Sequence, residues 1–200
     1  MRNWKYILLS VILFPLVGMV SSCSEDDSVT DEYANWQERN EAMTDQWAAS
    51  GMKKIRVYTQ DESTTGKNCD YIYVQVLEAG EGTDSPLYTD TVRTAYRGRM
   101  LPTTNYTNGY VFDETYIGDF SWHTAGVSSL YCGGMVDGFT TALMNMHKGD
   151  HWRVHIPYQL AYRSVTSGSV RAYSNLIFDI AVYDYWHPGD YHPAFRARTR

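Results

Sequence analysis

The residues of this chain able to do chemistry are mostly rings, gathered in its second half. Tyr96-Arg97-Gly98 and Val111-Phe112-Asp113 come first. Met135-Val136-Asp137-Gly138-Phe139 and His147-Lys148-Gly149-Asp150 follow, then Ile156-Pro157-Tyr158-Gln159-Leu160-Ala161-Tyr162 and Leu176-Ile177-Phe178-Asp179. Among these rings stand a carboxylate, Asp113, and a phenol at a strand end, Tyr162. No HExxH, CxxC, Walker loop or GxSxG motif is present. His151 and His155 share one face of a strand about 13 Å apart, too far to hold one ion. On local evidence Tyr96, Phe139 and Phe178 read as core aromatics and Asp113 as a turn cap. Tyr162 fits a core role least, since it follows a Pro-anchored strand end and precedes a Ser/Gly-rich loop.

The elements that must position these residues follow from hydrophobic periodicity. From Glu32 to Ser50, Tyr33, Trp36, Asn40, Met43 and Trp47 recur at intervals of three and four, and Gly51 is placed to stop a helix. Asn40 weakens that stripe. This helix is expected to pack on the following domain, with a dimerising or partner-binding helix as the alternative. After a polar linker at 60–68 the period becomes two. Ile72, Val74 and Val76 share one face; so do Val92, Thr94 and Tyr96, then Trp152, Val154 and Ile156, then Leu176, Phe178, Ile180 and Val182. One apolar face per strand predicts an antiparallel sheet covered on one side. Phe139, Ala142, Leu143 and Met146 form a helical stripe to cover it, ended by Lys148-Gly149. The predicted class is α+β: a curled antiparallel sheet around one short helix, preceded by an amphipathic helix.

Taken in order and spacing, the six segments resemble those of FKBP-type peptidyl-prolyl cis-trans isomerases, over roughly residues 71 to 185. The resemblance implies the same curled sheet and a pocket that grips a proline ring in proline-containing polypeptides, with no cofactor and no metal. It implies walls from Tyr96, Phe112 and Phe178, and a floor from Phe139. Met135 and Val136 would line the cleft before the helix, with the Val136 N–H offered to a substrate carbonyl. Tyr162 would donate its hydroxyl, Asp113 would orient the twisting carbonyl, and Val170 would be an apolar flap residue. Three positions depart from the family pattern. Phe139 stands where a tryptophan is common, Arg163 where a glycine follows the tyrosine, and Arg171-Ala172 where the flap carries a proline pair. They bear on turnover and macrolide binding more than on the fold, and Arg163 is expected to place a positive charge at the cleft mouth. A weakly active proline-segment binding module is the first alternative. A surface ligand- or glycan-binding protein is the second, disfavoured because no aromatic cluster is evident outside the core pattern.

The N-terminus reads as a targeting segment. Arg2 and Lys5 precede a mostly apolar run from Tyr6 to Val20, too short for a comfortable span. Val20-Ser21-Ser22-Cys23 resembles the lipobox of bacterial lipoproteins, which implies a lipidated Cys23 and a protein held on a membrane by acyl burial alone. Ser24-Glu25-Asp26-Asp27 is similar to the export signal of some Gram-negative surface lipoproteins, so the expected location is the cell envelope, on the outer membrane at its surface or periplasmic face. The expected division is a signal peptide at 1–22, a tether at 23–31, helix and linker at 32–68, the isomerase-like domain at 69–187 and a tail at 188–200. Composition is globular, with 44% apolar and 20% charged residues, 17 Tyr and 6 Trp. Removal of Arg2 and Lys5 takes the net charge from −6 to −8. That excess of acid excludes nucleic acid as a partner, because binding rests on Lys and Arg neutralising phosphates. Cys69 and Cys132 either pair or serve as small buried hydrophobes, a choice that spacing leaves open.

Overall fold

The computed structural model describes residues 31–61 and 63–192. Cys23, the segment before it and Arg196, Arg198 and Arg200 lie outside the described residues. The chain forms helix α1 (Trp36–Ala49), strands β1 (Lys53–Arg56), β2 (Tyr71–Glu78), β3 (Thr91–Met100), β4 (Val111–Glu114) and β5 (Ser128–Tyr131), helix α2 (Asp137–Leu143), and strands β6 (His151–Ile156) and β7 (Leu176–Trp186). The strands make one curled antiparallel sheet in the order β1-β2-β6-β7-β3-β4, with β5 also paired to β3. This is the α+β architecture the periodicities predict.

The inner face of the sheet closes on α2. Phe139, Ala142, Leu143 and Met146 are all buried against Ile72, Val74, Val154, Ile156, Leu176, Phe178 and Ile180. Gly138 allows this close approach: a Cβ there would stand 2.3 Å from Ile156 Cγ2. The helix stops at Leu143, earlier than the Lys148-Gly149 signal suggests. The chain continues in tighter turns, with Asn145 N–H bonded to Ala142 and Met146 N–H to Leu143. Val76 departs from the expected inner face. It is 45% exposed at the point where the register between β2 and β6 shifts.

The outer face is covered too, which corrects the expectation of a one-sided sheet. At one end α1 lays Trp47 against Tyr73 and His155, with ring centroids 6.3 and 5.0 Å away. At the other, residues 116–127 bring Tyr116, Phe120, Trp122 and Ala125 onto Ala95, Ala181 and Tyr183, and Phe120 packs on His151 at 4.1 Å. Between these covers Asp179 accepts bonds from Arg99 and from Arg153, the latter at 2.6 and 3.1 Å. The strand alternation is genuine, but its polar half is not a solvent face, because two further segments fold back over it.

Asn40 is the element of α1 that sequence patterning undervalues. It is fully buried, and its side chain accepts the Asn175 N–H at 2.7 Å while donating to the Trp36 carbonyl at 2.6 Å. The Asn175 amide donates to the Asn40 carbonyl and to Thr44 Oγ1, and its oxygen receives the Tyr158 N–H. Trp36 Nε1 donates to Ser174 Oγ at 2.9 Å, and Tyr158 donates its hydroxyl to Glu41 at 2.8 Å. A polar stripe therefore fastens α1 to both ends of the segment from Tyr158 to Asn175 that bears Tyr162. The helix packs on the domain, as expected.

Burial against Trp47 and neighbouring arginine charge lower the His155 pKa from 6.5 to about 4. The folded state thus resists a proton that the unfolded chain accepts. Stability is full above pH 6.5 and declines as pH falls towards 4. His151 is shifted in the same direction, chiefly by burial. Thermal unfolding followed by circular dichroism should show a midpoint that drops between pH 6.5 and 4. His155→Phe should flatten part of that slope, and an unchanged slope would assign it to other groups.

Candidate functional site

Three neighbouring strands build one aromatic chamber over α2. β3 contributes Tyr96 and Gly98 on its inner face, β7 contributes Phe178 opposite Gly98, and β4 contributes Phe112 and Asp113. The Phe178 ring lies 4.9 Å from Phe139, 5.5 Å from Phe112 and 6.4 Å from Tyr96, the first two edge to face. Tyr96 meets Phe139 at 5.9 Å, also edge to face. These edge-to-face pairs set the ring geometry as well as its apolar content. Phe139 and Phe178 are buried, while Tyr96 and Phe112 are partly open.

Polar groups sit around this chamber. Tyr96 donates its hydroxyl to Asp113 Oδ2 at 2.8 Å, which fixes the carboxylate beside the rings. Burial, and then that bond, push the Tyr96 phenol well above its usual range, so it remains a donor. Val136 caps α2 with an extended backbone and its carbonyl receives the Phe139 and Thr140 N–H groups. Tyr162 packs at the chamber side, close enough to Tyr96 to add to its upward shift. Met135 is 36% exposed at the rim, and Val170 is buried within the same core. The structure thus brings Tyr96, Phe112, Asp113, Phe139 and Phe178 into one contact cluster, with Val136 and Tyr162 packed against the same core.

A family model described as FKBP-type peptidyl-prolyl cis-trans isomerase matches residues 82–183. The chain belongs to the FKBP-type isomerase family. It is 26% identical over 136 residues to the FKBP-type peptidyl-prolyl cis-trans isomerase FkpA of Escherichia coli, covering 68% of this chain and 45% of that protein. It is 33% identical over 108 residues to the macrophage infectivity potentiator of Trypanosoma cruzi, covering 53% and 48%. The chain thus spans only part of these curated relatives. A crystal structure of a peptidyl-prolyl cis-trans isomerase from Pseudomonas syringae superposes with a TM-score of 0.56 at 21% identity, over 76% of this chain and 95% of that one. At that identity the likeness concerns the fold.

Within this FKBP-type domain the three departures acquire a structural context. Phe139 fills the floor and touches both Tyr96 and Phe178. Arg163 adopts φ 56, the left-handed region in which glycine is at ease. Its guanidinium donates to Asp137 Oδ2 at 3.1 Å and stays largely exposed, so the charge expected there is paired with a carboxylate. Arg171 lies 4.3 Å over the Tyr33 ring, which ties the flap to the turn before α1. Cys69 and Cys132 are both free thiols, and burial pushes the Cys132 thiol up to about 11.

Gly98 is the position within the ring cluster that sequence reasoning passed over. Its inward face carries no side chain because the rings lie there: a Cβ would stand 2.4 Å from Phe178 and 2.7 Å from Phe112. The Tyr96-Arg97-Gly98 spelling held the clue, since a glycine inside a strand marks a close approach. Gly98→Ala should destabilise the fold by about 1–3 kcal/mol through overpacking. It should also blunt the near-ultraviolet dichroism of the ring cluster. An unaltered spectrum and melting point would mean that the rings have room to spare.

Proposed function

We propose that this protein is a peptidyl-prolyl cis-trans isomerase that assists the folding of exported polypeptides while held to the cell envelope by a lipid on Cys23. The observation carrying the catalytic part is the Tyr96-Phe112-Phe139-Phe178 chamber with Asp113 fixed at its edge by Tyr96, 2.8 Å away. Rotation about an X-Pro bond is slow because it breaks amide resonance, at a cost of roughly 18–20 kcal/mol. The twisted amide is less polar than the planar one, so an apolar chamber favours it. Donors aimed at the twisted carbonyl add to the effect, each ~1.4 kcal/mol being tenfold in rate. Here the Val136 N–H and the Tyr162 hydroxyl are the donors, the rings hold the proline, and Asp113 orients the carbonyl. No covalent intermediate is required.

NMR exchange spectroscopy on short Xaa-Pro peptides tests this directly. Wild type should speed cis-trans exchange, and Tyr162→Phe should slow it about three- to tenfold by removing one donor. Exchange at the uncatalysed rate across a panel of peptides would end the enzyme reading in favour of a proline-segment binding module. The anchor is tested separately. Cys23→Ala should abolish labelling by an alkyne fatty acid, and undiminished labelling would refute lipidation at that residue.

A further inference from the structure

Beside the chamber rim lies an aromatic surface that the isomerisation chemistry does not use, contrary to the expectation that no such cluster exists outside the core. Tyr58, Tyr88 and Tyr131 stand in a row, with ring centroids 5.5 Å apart between the first two and 6.2 Å apart between the last two. All three are exposed, Tyr131 to 51%, and Leu87 beside Tyr88 is exposed to 55%. The rings are seated rather than loose. Tyr88 lies on the backbone of Gly133, where a Cβ would come within 2.5 Å of it, and Tyr131 lies over Gly134 at 3.1 Å. Asp90 holds the Leu87-Tyr88 turn, accepting the Leu87 N–H and lending its carbonyl to the Cys132 N–H. Tyr58 is fixed to α2 by its N–H to Thr141 Oγ1.

The row sits on the segment that leads to the proposed proline chamber, over Gly133 and Gly134 and against α2. From Tyr131 the chain passes through Cys132, Gly133 and Gly134 to Met135 and Val136, which line the cleft. Tyr58 lies near enough to Asp137 to feel its charge, and Asp137 is the partner of Arg163 at the mouth. Three exposed tyrosines and a leucine contiguous with a binding cleft present flat apolar area at low entropic cost, with phenol groups for backbone carbonyls. We propose that this row is an extended subsite that binds apolar and aromatic residues flanking the proline of an unfolded client chain. The continuity with the chamber selects this occupant over a free-standing ligand. This inference rests on the isomerase reading of the chamber, and it adds a source of client selectivity that the chamber itself does not supply.

The test uses two peptides with one Xaa-Pro bond: a tetrapeptide, and a 14-residue peptide bearing leucine and phenylalanine on both sides. Wild type should show a kcat/KM at least about tenfold higher for the long peptide, carried in KM. Tyr58→Ser/Tyr131→Ser should erase that preference while turning over the tetrapeptide normally, which a folding defect would not allow. Fluorescence anisotropy of the labelled long peptide, measured in parallel, should report the same loss of affinity. Equal turnover of both peptides by wild type, or a preference that survives the double change, would overturn the subsite. So would an altered sedimentation coefficient or lost polysaccharide binding in the double variant with the peptide preference intact, since either would assign the tyrosines to another occupant. Failure of wild type on the tetrapeptide would instead strike the isomerase reading, and long-peptide binding unaffected by the double change would then sink the subsite independently.

Discussion

Phe178→Ala is expected to cost about 3–5 kcal/mol of stability and to abolish acceleration of Xaa-Pro exchange. Phe178 is the hub of the chamber, touching Phe112, Phe139 and Tyr96 and lying over Gly98. Its loss empties the space that three strands and α2 were shaped around, and Gly98 offers no side chain to refill it. Water entering the cavity removes the apolar environment that favours a twisted amide. Urea unfolding and NMR exchange measured on the same preparation separate the two effects. Phe178→Leu should recover most of the stability but little of the activity, because it fills volume without the flat wall. If Phe178→Leu turned over peptides as well as wild type, the ring itself would be dispensable.

Asn40→Leu is expected to destabilise the protein by about 1–3 kcal/mol, although it improves the apolar stripe of α1. The change leaves the buried Asn175 N–H without its partner, and a buried unsatisfied group costs roughly 1–3 kcal/mol. Asn175 also holds the Tyr158 N–H, so the slackening spreads to both ends of the segment bearing Tyr162 and Val170. A raised KM for peptides at nearly unchanged kcat should accompany the lost stability. A more stable protein in urea would show that α1 docks by its apolar face alone.

Much of the inner architecture was legible because strand alternation and one helical stripe suffice to define a half-buried sheet and its cover. Ile72, Val154, Phe178 and Phe139 meet as that pattern requires. The chamber residues were legible through family spelling, not local chemistry, since a core phenylalanine and a pocket phenylalanine have the same sequence signal. The outer covers escaped notice for a different reason. Phe120, Trp122 and Tyr116 lie in a turn-rich segment without a period, so nothing announces which face they seek. Asn40 was misread as a weak point because a sequence does not show its partner, Asn175, 135 positions away. Strands β1 and β5 are four residues each, too short for a period of two to register, and β5 lacks a repeated apolar face. The exposed Tyr58-Tyr88-Tyr131 row is assembled from three distant segments and has no linear trace.

The edge strand β1 bears on how the sheet meets any extended chain. It pairs with β2 on one side and carries Lys53, Lys54 and Arg56 within four residues. An extended chain presents backbone groups in search of hydrogen bonds, and an open apolar sheet edge would invite it to add as a further strand. Three cations on that edge repel such augmentation, since a pairing strand would have to desolvate them. Lys54 is also drawn over the Tyr71 ring at 3.9 Å, which holds one charge close to the sheet. The sheet edge is thereby kept from becoming a template for a further extended strand.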